Sequence, residues 1–230
     1  MNPDRATALL ALLQLNDSLF PSGAFTHSYG LEQLAREGIV RTPADVERFV
    51  AATLAGSLAT ADAVTALRAF IAARENDLEA VIAADRALLR TKLAAELRAA
   101  ALSVGRRLLA ETSAHVEAPL LTAYEARVRA DRELGVHAAV FGAVCSSLGV
   151  EAEDVVPACL LGTATALLQA SMRLLPVSHR DVQSILHRLR PRIAALAQST
   201  VTTSPPRSFA PLQDVASMRH ARAEARLFSS

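Results

Sequence analysis

The feature that most limits what this chain can fold into is the spacing of its apolar residues. The clearest run starts at Thr91: Leu93, Leu97, Ala100, Val104 and Leu108 share one helical face, while Arg98, Arg106 and Glu111 fall on others. Val46, Phe49, Val50, Leu54 and Leu58 show the same three- and four-residue steps earlier, and Val182, Ile185, Leu186, Leu189, Ile193 and Leu196 show them later. No stretch has the apolar–polar alternation of a half-buried strand. The spacing predicts an all-α fold, a single helical domain of roughly nine or ten helices.

Helix ends are marked by local chemistry. Thr42-Pro43-Ala44-Asp45 supplies an N-cap, a proline at the first helical position and an acid in the first turn. Asn76 or Asp77 can cap the helix carrying Leu78, Val81, Ile82 and Leu88. Ser178-x-x-Asp181 has the form of a capping box, and Gly38 is placed to end a helix. Pro191 predicts a kink or restart. Gly135, Gly142 and Gly149, seven residues apart, predict tight packing between helices. Val155–Met172 carries no charge, but Pro157, Thr163, Thr165, Gln169 and Ser171 suit a buried core helix better than a membrane span. The apolar run Ala8–Leu15 follows Asp4 and is read as a first helix, not a secretory signal.

With 51% hydrophobic residues in 230, the chain can bury a substantial core. Cys145 and Cys159 lie in apolar settings without a C-x-x-C, as expected of buried thiols in a cytoplasmic protein. Residues 1–198 form one helical unit. Residues 199–230 change character: a polar, proline-containing linker leads into an arm bearing Leu212, Val215, Met218, Leu227 and Phe228 among arginines. An arm with that many large apolar groups is expected to order against something. Charge follows the same division. Residues 1–172 hold 15 Lys/Arg against 20 Asp/Glu, and residues 173–230 hold 9 Arg against 3 acids, so a +6 end follows a −5 body. The basic end is expected to meet an acidic surface. The overall charge of +1 gives no ground for nucleic-acid binding.

The segment from Asn16 to Glu32, NDSLFPSGAFTHSYGLE, concentrates turn formers and three of the nine aromatic residues. Gly30 falls where the spacing has become helical, at a cost of ~1 kcal/mol relative to alanine. It predicts a backbone held close to another helix or to a partner protein.

Catalytic signatures are missing. The sequence has no phosphate-binding Gly-rich loop, no nucleophile elbow, no H-E-x-x-H and no Cys/His cluster, so neither a cofactor nor a metal site is expected. Two alternatives stay open. An all-α hydrolase or metal enzyme could use His27 and Ser28, although adjacent helical residues point about 100° apart. A helical regulator could bind a ligand or nucleic acid through the basic end, with a steep salt dependence.

Taken with the arm, the opening segment resembles the urease accessory protein UreF family. The family's N-terminal motif is met by Asp17, Ser18, Pro21, Gly23, Phe25, Ser28, Gly30, Leu31 and Glu32. Its S-M-R-H motif is met by Ser217, Met218, Arg219 and His220, and its terminal R-L-F-x-S by Arg226, Leu227, Phe228 and Ser230. Phe141–Gly142 and the R-x-x-P ending at Pro176 are also similar. The chain departs from the family's usual residues at Ser178, His179, Ala221 and Glu224. The resemblance implies a protein without catalytic activity, a homodimer working with UreD (also called UreH) and the GTPase UreG to deliver nickel to apo-urease. It implies partner contacts at the motif residues from Ser18 to Glu32 and from Ser217 to Phe228.

Overall fold

In the computed structural model, which describes residues 3–23, 27–200 and 204–229, every regular element is helical. In order they are α1 (Pro3–Leu15), α2 (Leu31–Arg36), α3 (Pro43–Thr53), a π-helical segment (Leu54–Asp62), α4 (Ala63–Arg74), α5 (Leu78–Thr91), α6 (Ala95–Ser113), α7 (Pro119–Ala130), α8 (His137–Ser147), α9 (Ala152–Leu174), α10 (His179–Ser199) and α11 (Pro211–His220). Because α3, the π-helical segment and α4 run on without a break, the eleven α-helical stretches make ten continuous helices among the described residues.

The predicted caps operate. Thr42 accepts the Asp45 N–H at 3.2 Å while Asp45 accepts the Thr42 N–H at 2.9 Å, and Ser178 and Asp181 repeat that reciprocal pair at 3.2 and 2.9 Å. Asp77, not Asn76, caps α5, accepting the Ala80 N–H at 3.0 Å. Other boundaries moved. Thr91 closes α5 instead of opening α6, its hydroxyl bonded to the Leu88 carbonyl. Pro191 lies inside an unbroken α10. Of the three glycines at seven-residue spacing, only Gly142 packs within a helix against another: a Cβ there would run into the Ala66 carbonyl of α4. Gly135 and Gly149 lie outside the helices.

Two apolar clusters share a wall. α8 is buried on every side from Ala138 to Cys145 and sits at the centre of the first cluster, among α4, α5, α6 and α7. The second gathers α2, α3, the π-helical segment and α10. Helix α9 divides them, giving Val155 and Cys159 to the first and Val156, Leu160, Ala164, Leu167 and Leu168 to the second. Two continuous helices, Pro43–Arg74 and Ala152–Leu174, are long and apolar enough to cross a membrane, but 67% and 61% of their apolar windows are buried in these clusters. They are core helices.

Candidate functional site

The two chain ends meet. Gly30 is not inside a helix but is the N-cap of α2, with a left-handed φ of 85° that suits glycine. Its bare Cα lets α11 approach closely: a Cβ at Gly30 would lie 3.0 Å from the Gln213 carbonyl and 3.1 Å from both Ala216 Cβ and Ser217 Oγ. The helix it faces belongs to the chain's own arm.

Two residues further on, Glu32 collects donors from that arm. It is 1% exposed. Its Oε1 accepts the Leu227 N–H at 2.9 Å and the Arg36 guanidinium, and its Oε2 accepts the Phe228 N–H at 2.9 Å and faces His220 Nε2 at 2.9 Å. Burial works to raise the Glu32 carboxyl, but the Leu227 and Phe228 N–H groups and the His220 ring outweigh it and hold it below its ordinary 4.5. The other nitrogen of His220, Nδ1, lies 2.9 Å from Glu96 Oε2 of α6, and Glu96 Oε1 accepts Arg226 at 3.0 Å. His220 is fully buried between α2 and α6. The buried ring of Phe228 lies under the Arg173 guanidinium, 4.8 Å from its centroid, which ties the R-x-x-P segment into the same junction.

A second seam holds the start of the arm. The π-helical segment offers carbonyls along its edge: Gly56 O accepts the Phe209 N–H at 2.7 Å and Thr60 O accepts the Arg207 N–H at 3.0 Å. The Thr60 hydroxyl donates to Arg207 O at 2.6 Å. Widened helical turns leave carbonyls free of their usual partners and recur at functional positions. Nothing in the sequence of Leu54–Asp62 signals the widening. Gly56 instead makes room for the arm: a Cβ there would sit 2.6 Å from the Phe209 carbonyl.

The predicted site residues therefore divide by exposure. Ser28, Gly30, Glu32, Ser217, His220 and Phe228 are buried in the junction, and Gly23 is buried near Arg107. Ser18, Pro21, Met218, Arg219, Arg226 and Leu227 are exposed. Phe25 lies outside the described residues. Arg222 and Arg226 follow the end of α11, so they do not share a helical face with Arg219. The excess charge of the basic end meets acids of the same chain: Arg219 pairs with Glu37 at 3.2 Å, Arg226 with Glu96 and Arg188 with Glu47 at 2.8 Å.

Little here suits catalysis. His27 is held neutral, its ring pulled down to about 4 by burial and then by the Arg107 charge, and Ser28 is fully buried with its hydroxyl 3.4 Å from the Glu32 N–H it accepts. Burial raises the thiols of Cys145 and Cys159, which keeps them unreactive. Among the described residues no group of three or more His, Cys, Asp or Glu side chains is placed to hold a metal ion. Beneath the opening segment, Asp17, Tyr29, His137 and Cys159 line a cavity of about 70 Å³, and burial lowers His137 to about 4.

Fold and junction together define an all-helical protein whose C-terminal arm is fastened to its own body. The sequence model of the UreF family matches residues 40–190. Full-length relatives agree. "Urease accessory protein UreF" of Trichodesmium erythraeum is 32% identical over 96% of each chain, that of Bacillus sp. (strain TB-90) is 30% identical over 96% of this chain and 99% of its own, and that of Yersinia pestis (strain Pestoides F) is 34% identical over 98% and 99%. The chain belongs to the UreF family of urease accessory proteins and is not an enzyme.

Proposed function

We propose that this chain is a scaffold for nickel insertion into apo-urease, acting in the cytoplasm as a homodimer that bridges the UreD/UreH accessory protein and the UreG GTPase and gates nickel delivery. The observation that carries the reading is full-length similarity to urease accessory proteins. In this reading nickel is cargo, and nucleotide hydrolysis belongs to the partner that has a phosphate-binding loop.

The arm, residues 199–230, is the separable partner-binding element of a helical body, residues 1–198. Buried motif residues set the arm's position, while its outer face supplies the contacts. Phe209 is 81% exposed and Leu212, Leu227 and Met218 are about half exposed, with Arg219 and Arg222 among them. Large apolar groups interleaved with arginine are the composition of protein–protein interface cores. Neither nucleic acid nor membrane enters this reading.

The test is urease maturation in cells carrying urease and its accessory proteins, with and without this chain. Loss of nickel from purified urease when the chain is absent supports the role. Full nickel loading without it contradicts it.

A further inference from the structure

We propose that the docked arm and the π-helical segment form one two-state element: the widened turns of Leu54–Asp62 persist only while the arm lies along them, and release of the arm lets them tighten to α-helix. Nothing within the segment asks for the widening. Its sequence, LAGSLATAD, is mostly alanine and leucine, the best α-helix formers, and it lies inside one continuous helix from Pro43 to Arg74. Widened helices are rare and occur mostly as single turns. A run of 9 residues therefore needs support from outside itself.

The arm supplies that support along one edge. An α-helix aims each carbonyl along its axis at the N–H four residues on. A carbonyl released by widening can take a donor from the side, and the Gly56 and Thr60 carbonyls accept the Phe209 and Arg207 N–H groups. Arg207 and Phe209 are two residues apart, the spacing at which an extended chain repeats its orientation. The Thr60 hydroxyl returns a bond to the Arg207 carbonyl, and between the two carbonyls Ser57 Oγ donates to Gln213 Oε1 of α11 at 3.4 Å. Core packing holds the inner side, with Leu54 and Leu58 in the second cluster and Ala61 in the first, but it sets no hydrogen bond on the outer edge.

The far end of the segment meets the arm as well. Asp62 accepts Lys92 Nζ at 3.0 and 3.1 Å, and Ser208, Gln213 and Asp214 line the same small cavity as Lys92. Such coupling is reciprocal: if the arm favours the widened turns, the widened turns favour the docked arm. At the near end, a groove of about 460 Å³ runs between Phe49 and Ala52 of α3 and Phe209, Pro211 and Leu212 of the arm. Release removes one wall of that groove and, by tightening the turns that follow α3, rotates the other. For its biological consequence this rests on the arm being the partner-binding element: a partner that draws the arm away would also reset α3.

The experiment reads backbone hydrogen bonds on the full chain alone, through the nuclear magnetic resonance couplings that cross them. In the widened register the Ala63 N–H donates to the Leu58 carbonyl, whereas in an α-helix it donates to that of Ala59. Arg207→Pro combined with Phe209→Pro removes both arm donors at exposed positions and changes no residue of the segment. In that variant the Ala63 coupling should pass from Leu58 to Ala59, while the couplings within α8 stay as they are. Arg207→Ala combined with Phe209→Ala keeps both N–H groups and should keep the coupling to Leu58. A Leu58 coupling retained in the proline pair, or lost there with none gained to Ala59, overturns the proposal. So does its loss in the alanine pair, which would assign the widening to side chains. Because partners are absent, failure here leaves the proposed role in urease maturation standing, and failure of that role leaves the coupling of arm and segment standing.

Discussion

Glu32 Oε2 and His220 Nε2 lie 2.9 Å apart, a contact between residues separated by 188 positions in the chain. Glu32 also accepts the Leu227 and Phe228 N–H groups, so one carboxylate fastens both α11 and the chain end to α2. Replacing it with Gln keeps the shape but puts an NH₂ against donors. Breaking one side of a buried charge cluster costs about 3 kcal/mol or more. Glu32→Gln should lower stability to urea by that order and speed tryptic cleavage after Arg222 and Arg226; unchanged cleavage would count against the fastening role.

Gly30 should resist even the smallest addition. Alanine there meets the left-handed backbone cost of roughly 1–2 kcal/mol and presses on the Gln213 carbonyl and Ala216. Gly30→Ala should therefore lose stability and loosen the arm together. A variant as stable as the parent, with the arm equally protected, would show that α11 can move away freely.

Gly56→Ala separates arm docking from helix formation. Alanine is the better helix former by about 1 kcal/mol, but its methyl would sit 2.6 Å from the Phe209 carbonyl. Helix content by circular dichroism should hold or rise while the Phe209 amide, bonded to Gly56 O, loses protection from exchange. Retained protection would mean that the arm does not depend on the π-helical seam.

The α3 cap predicts an acid limb. Asp45 is held at about 2 instead of 3.8, chiefly by the Arg41 N–H, then by the Thr42 hydroxyl and N–H. A carboxyl lowered on folding stabilises the protein above its unfolded value and stops doing so as pH falls through the folded one. The stability advantage of the parent over Asp45→Asn should be full above pH 3.8 and shrink towards pH 2. An advantage constant across that window would assign the cap's contribution to something other than the charge.

What could be read from the sequence followed the range of the forces involved. Thr42, Asp77 and Ser178 act on N–H groups within three residues, so their caps were legible, and so was Gly38 just beyond α2. Gly30 was recognisable as a close-approach position, but the partner it approaches is 183 or more residues away and left no local sign. The same holds for the π-helical segment, whose carbonyls are completed by Arg207 and Phe209 from the arm. The +6 end was legible as a charge seeking acids. That those acids include Glu37, Glu47 and Glu96 of the same chain depends on packing that composition does not encode.

The central claim is that the docked arm is the partner-binding element of a urease accessory scaffold. The most direct measurement is co-purification with the UreD/UreH protein, comparing the full chain with one lacking residues 205–230. The account predicts that the full chain is retained and the shortened one, still helical by circular dichroism, is not. Equal retention of the two would contradict it.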